Sequence, residues 1–126
     1  MKQKDIVKAY HTIMKHEKDD LPLKVSYGLY RVKNIIKEQI EFQNEKEREI
    51  FMKYKPKTND DGSFKFESAE QAEEFAKEFD SKITEVTEMD VDLGEFKKPR
   101  IPIDQLVDVS VEDIEALEPF IEFIEE

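Results

Sequence analysis

The side chains of this chain best equipped for chemistry are two histidines, His11 and His16, and 31 carboxylates; there is no cysteine. Without thiols, disulfides, thiolate zinc sites and thiol nucleophiles are all excluded, which fits a reducing compartment. The histidines lie five apart in a helical pattern. They therefore point in different directions and cannot grip one metal as an i,i+4 pair would. Both are read as surface residues. Carboxylate pairs are so frequent in this chain that none is diagnostic of acid–base work.

Asn59, Asp61 and Gly62 occupy the third, fifth and sixth positions of a stretch, residues 57–68, with the spacing of a calcium-binding loop. Its first and twelfth positions are Lys57 and Ser68, so the main anionic ligands are missing and an Asp-Gly turn is the better reading. Asp90 and Asp92 share one face of an expected strand, with no third ligand in view. Glycine occurs only at positions 28, 62 and 94, which leaves no glycine-rich phosphate loop and no Gly-x-Ser-x-Gly nucleophile elbow. The expectation is a non-enzymatic protein with no cofactor and no metal.

Charge divides the chain. Residues 1–57 carry 14 Lys/Arg and 9 Asp/Glu, a balance of +5; residues 58–126 carry 6 and 22, a balance of −16, for a net charge of −11. Oppositely charged halves attract, so the acidic half is expected to fold on the basic one or on a neighbouring copy. The basic half, with Tyr27, Tyr30 and Tyr54, permits weak nucleic-acid contact, but the adjacent −16 opposes it. Lys97-Lys98-Pro99-Arg100 has too few charges to hold nucleic acid alone.

These residues need elements to position them. Ile6, Val7, Tyr10, Ile13 and Met14 recur at helical spacing and predict a helix over 4–18, ended by Asp19-Asp20-Leu21-Pro22. Leu29, Val32, Ile36, Ile40, Ile50, Phe51 and Tyr54 predict a long helix from Ser26 to Tyr54, about 43 Å at ~1.5 Å per residue, with a gap in its seam at Gln43 and Glu47. Lys55 to Ser63 is the clearest break. Phe64-Lys65-Phe66 reads as a short strand, and Ser68 with Gln71 as a capping box opening a helix to about residue 86 that buries Ala72, Phe75, Ala76, Phe79, Ile83 and Val86. Met89, Val91 and Leu93 alternate as a half-buried strand. Ile101 and Ile103, with Leu106-Val107, suggest another, with Pro102 placing it at a sheet edge. Ser110 caps a last helix carrying Val111, Ile114 and Leu117, which Pro119 kinks or restarts before Phe120, Ile121, Phe123 and Ile124.

The first helix is too short to cover the second. The apolar end of the second, with Phe42, Ile50, Phe51 and Tyr54, must therefore meet the C-terminal half or another subunit. The tail from Glu112 to Glu126 alternates acidic and apolar residues and either docks on a partner or, more simply, closes the chain's own core with Phe120, Ile121, Phe123 and Ile124. Phe42, Ile50, Phe51, Tyr54, Phe120 and Phe123 are the candidate interaction residues.

A short helix, the Leu21-Pro22-Leu23 turn, a long charged helix ending in Glu49-Ile50-Phe51-Met52-Lys53-Tyr54, an Asp-Gly loop, an acidic helix and the Leu117-to-Glu122 ending together resemble a family of small uncharacterised proteins encoded by phages and prophages of Gram-positive bacteria. The resemblance brings no catalytic residues. It implies a phage accessory or assembly protein made in the bacterial cytoplasm, with virion association as a further option. The combined expectation is a single mainly-α, α+β domain: a basic helical hairpin over 1–57, and an acidic α+β half over 58–126 packed on it. It would act through protein–protein interaction, with a phage structural or host protein as partner and with self-association. The alternative is an acidic inhibitor or nucleic-acid mimic of a basic host protein. No amphipathic segment here is long and apolar enough to act as a signal peptide or membrane span, so no membrane role is expected.

Overall fold

The computed structural model describes residues 1–125. Its elements run α1 (Gln3–Glu17), α2 (Leu23–Tyr54), β1 (Lys57–Thr58), β2 (Phe64–Lys65), α3 (Ala69–Thr87), β3 (Arg100–Pro102), a 3-10 turn at Ile103–Gln105, α4 (Val111–Leu117) and β4 (Glu122–Ile124). The protein is mainly α with two small two-stranded sheets, β1–β2 antiparallel and β3–β4 parallel. No described helix is long and apolar enough to cross a membrane. The chain forms two compact units, residues 1–40 with 90–126 and residues 41–89. Their boundaries fall inside α2 and after α3, not at residue 57 where the charge balance reverses.

In the first unit, α1 and the start of α2 bury the faces their periodicity marks: Ile6, Ala9 and Ile13 from α1, Val25, Leu29, Val32, Ile36 and Ile40 from α2. Ile101, Leu106, Leu117, Phe120 and Ile121 join the same core, and α4 packs against α1. Each of these large apolar side chains, Ala9 apart, stabilises the fold by about 1.5–3 kcal/mol of transfer free energy. α2 starts three residues earlier than its pattern suggests. The Pro22 carbonyl accepts from the Val25 and Ser26 amides, and a proline is tolerated where no intrahelical donor is needed. Gly28 has a packing reason: a Cβ there would lie 3.1 Å from Ile101 Cδ1 and 3.3 Å from Pro99 Cβ, so its absence lets β3 approach α2 closely.

Two expectations for the second half are corrected. Residues 89–93 form no strand. A single bridge joins Lys2 and Asp90, and the Val91 amide donates to the Met1 carbonyl, but no ladder follows. The Asp92 carboxylate instead accepts from the Gly94 amide, and Gly94 takes a φ of 73°, which turns the chain away. The alternation is still spent on burial, since Val91 and Leu93 pack on the core. After Pro119 the chain does not restart a helix. It enters β4, which pairs with β3 in the register Arg100↔Glu122, Ile101↔Phe123, Pro102↔Ile124. Pro102 lacks an amide to donate, which a two-stranded sheet accommodates at its edge. The expected strand at 101–107 shortens to β3, since Ile103 already begins the 3-10 turn.

In the second unit the end of α2 meets α3 and the β1–β2 hairpin. Phe51 meets Phe64 and Phe75 at a tilt and Phe79 edge-on, at centroid distances of 5.2, 5.2 and 5.8 Å, and Tyr54 and Phe66 meet Phe75 at 5.6 and 5.0 Å. Ser68 caps α3 as expected by accepting from the Gln71 amide, but the Gln71 side chain reaches the Glu67 amide, one residue short of closing a capping box on Ser68. The full box forms at α4, between Ser110 and Asp113. α2 stops where Lys55 adopts a left-handed φ of 46° and its amide returns to the Phe51 carbonyl. Glycine is the usual residue at such a cap.

Candidate functional site

The cluster in the first unit that most resembles catalytic machinery is buried. His16 is not the surface residue its sequence position suggested: it is 1% exposed, with Nε2 3.0 Å from Asp113 Oδ2. The same oxygen accepts from Lys15 Nζ at 2.8 Å and from the Ser110 amide at 3.2 Å. Burial pushes the Asp113 carboxyl up, but the hydrogen bonds from Lys15, His16 and Ser110 outweigh it and hold the group well below the usual carboxylate range. His16 Nδ1 lies 3.3 Å from Asp19 Oδ2 without hydrogen-bond geometry. A histidine–aspartate pair can orient a general base, but Ser110 Oγ is occupied as the α4 cap, accepting from the Asp113 amide, and no substrate can reach His16. The cluster pins α4 to α1. His11, by contrast, is exposed and packs edge-on against Tyr10.

The other polar candidates are local. Asn59 to Ser63 closes as a turn: the Asn59 amide donates to the Ser63 carbonyl, and Asp61 Oδ1 accepts from the Ser63 amide and hydroxyl, which lowers the Asp61 carboxyl. Of the basic island, Lys98 donates to the Glu118 carbonyl, and Arg100 lies 3.7 Å from Glu122.

The six candidate interaction residues divide between the units. Ile50, Phe51 and Tyr54 come together in the second unit: Ile50 is buried, and Phe51 and Tyr54 are half-buried. Tyr54 donates its hydroxyl proton to Glu78, which also pairs with Lys53 at 2.9 Å. The two bonds lower the Glu78 carboxyl, Tyr54 contributing more than Lys53, and Glu78 in turn raises the Tyr54 phenol. Phe42 is 39% exposed, with Lys46 over its ring. Phe120 lies in the first unit's core, stacked on Phe96, and the half-buried Phe123 packs beside that core from β4.

What remains open in the second unit is a shallow concavity of about 410 Å³ lined by Phe51, Met52, Lys55, Pro56, Thr58 and Phe64. Met52 is 57% exposed and Phe64 47%. Lys55 is exposed at its rim, while Lys57 and Lys65, next along β1 and β2 to the lining residues Thr58 and Phe64, alternate to the other face of the hairpin and are exposed there. Lys57 and Lys65 are direct cross-strand partners in the hairpin, an arrangement of like charges that destabilises a strand pair. Met52 falls outside the helical stripe, so no sequence period marks it; the exposure that singles it out is set by the fold.

The first unit carries a second open surface. Leu23, Tyr27 and Tyr30 are 86%, 59% and 58% exposed, at i, i+4 and i+7 on α2, and the two tyrosine rings stack 6.4 Å apart. Beside them is a cleft of about 140 Å³ lined by Ile13, Leu21, Leu29 and Tyr30, with Ser26 and the Glu17–Lys33 ion pair. The stripe was legible in the sequence, but a helix begun at Ser26 omits Leu23. No family model, curated protein or solved structure matches the chain.

Proposed function

We propose that this chain is a non-enzymatic assembly or accessory protein that binds copies of itself through the open end of α2. The observation that carries the reading is the concavity around Met52 and Phe64, where apolar side chains are left in water with Lys55 at their rim. On the hairpin's other face Lys57 and Lys65 repel within one molecule, and carboxylates brought by a second that wraps the hairpin would relieve them. The chain's own acidic half, at −16, supplies such carboxylates in every copy. A cationic, apolar face meeting an acidic face is a heterologous contact. Contacts of that kind form rings or open-ended polymers, as suits an assembly component. The phage context and the bacterial cytoplasm as its setting rest on the sequence resemblance alone.

Light scattering after size exclusion, at low and high salt, tests this on the full chain and on Met52→Glu. Met52 is preferable to Phe51, whose ring is built into the aromatic cluster. The expected result is a dimer or larger species that salt weakens and Met52→Glu abolishes. A monomer at every concentration and salt overturns the reading.

A further inference from the structure

We infer that the Leu23–Tyr27–Tyr30 face of α2 is a docking site for an acidic amphipathic helix of another protein. Four features of the first unit carry this. The three exposed side chains recur on one face over seven residues, about 10 Å at ~1.5 Å per residue, which matches two turns of a partner helix laid alongside. The adjoining cleft has the volume of a single large side chain and an apolar floor of Ile13 and Leu29, so it suits one leucine or phenylalanine anchor.

Charge gives the sign of the partner. Residues 21–37 contain Lys24, Arg31, Lys33 and Lys37 and no carboxylate, in a chain with 31. On the helical wheel Lys24 and Arg31 flank the stripe on one side, and Ser26, Lys33 and Lys37 on the other. Lys33 is held by Glu17 at 2.9 Å, while Lys24 and Arg31 have no ion-pair partner among the described residues. An apolar stripe bordered by free cations is complementary to a helix with an apolar face and glutamate or aspartate flanks. Nucleic acid is disfavoured, because two unpaired cations release few counterions and the face offers no extended cationic track for a phosphate backbone.

A second copy is a poor occupant for a different reason. The chain's own acidic amphipathic segments already spend their apolar faces internally: α3 through Phe75 and Phe79 against Phe51, and the α4-to-β4 segment through Leu117, Phe120 and Ile121 in the core. The occupant is therefore a different protein, and the site is separate from the self-association surface at Met52.

The test is fluorescence anisotropy of a labelled synthetic peptide of about 18 residues, long enough to sample a helix, with leucine at i, i+3, i+4 and i+7 and glutamate at the flanks. The same peptide with lysine for glutamate, and an oligothymidylate, are the comparison probes. We expect saturable binding of the acidic peptide alone, weakened about tenfold by Tyr30→Ala, an anchor loss, and similarly by Arg31→Glu, with Met52→Glu leaving it unchanged. Unchanged thermal melting of each variant separates lost docking from lost folding. The inference is overturned if the acidic peptide fails to bind at millimolar concentration, or if the lysine peptide or oligothymidylate binds as well. It is also overturned if folded Tyr30→Ala and Arg31→Glu bind like the parent, or if Tyr27→Glu dissolves a homodimer.

Discussion

Residues 1–40 with 90–125 bury aliphatic side chains from four elements and the segments between them almost completely, whereas residues 41–89 rely on rings that touch one another yet stay half in water. Both units contain a stripe of strong helical period, and α3 has the clearer one. Depth of burial follows how many elements converge on a stripe. Ile13 and Leu29 are covered by α1, α2 and the returning C-terminal segment; Phe75 and Phe79 have only the end of α2 and a two-residue-deep hairpin to pack against. Small units enclose less of their surface, and locally shallow packing is where opening begins.

Replacing an interior ring on each side is the strongest way to break this comparison. We expect Phe120→Ala to cost about 3–5 kcal/mol and Phe75→Ala about 1–3 kcal/mol, both read by urea unfolding. Equal losses would mean that the second unit is as tightly enclosed as the first.

The polar interior of the first unit sharpens the contrast at the next level. Asp113→Asn should cost about 2–3 kcal/mol at neutral pH, because it strips the buried charge that Lys15, His16 and Ser110 all address. The Asp113 carboxyl is depressed in the folded protein. Its contribution is therefore present above the unfolded value near ~3.9 and is lost as pH falls through the lower folded value. Unfolding curves collected downward from pH 5 should show the difference between parent and Asp113→Asn shrinking below about pH 4; a difference independent of pH would remove the carboxylate from the account.

The smallest effect lies in the second unit and has the opposite sign. Lys55 holds a left-handed conformation that a side chain resists, so Lys55→Gly should raise stability by about 0.5–1 kcal/mol. A thermal melt that falls would show that Lys55 contributes contacts outweighing its backbone cost.

Much of the secondary structure was legible because its signals are local. The α1 and α3 stripes, the Ser68 and Ser110 caps, the Asp-Gly turn and the break after Tyr54 each depend on residues within a few positions of one another, and each element stands within a few residues of its expected place, although in α3 only Val86 is fully buried and Ala76 is exposed. The interaction residues were legible only in part. Phe51 and Tyr54 do gather at the end of α2, but whether such a side chain is surface or interior depends on what the chain brings back from residues far away. Ile50 and Phe120 turn out to be enclosed, Phe42 and Met52 are left exposed, and the Glu126 end of the acidic tail lies outside the described residues.

By itself the sequence determined the helices, their apolar faces, the turns between them and the basic-then-acidic order of charge, since periodicity, capping and proline chemistry act over one or two turns of chain. Tertiary structure decided the rest. It paired β3 with β4 across about twenty residues and left the alternation at 89–93 without a partner strand. It drew His16 inward against a carboxylate nearly a hundred positions away. It also brought Ile101 so close to Gly28 that a Cβ there would be tightly packed. Each of these outcomes depends on which distant surface arrives to exclude water, and that is a property of the packed chain that no local pattern encodes.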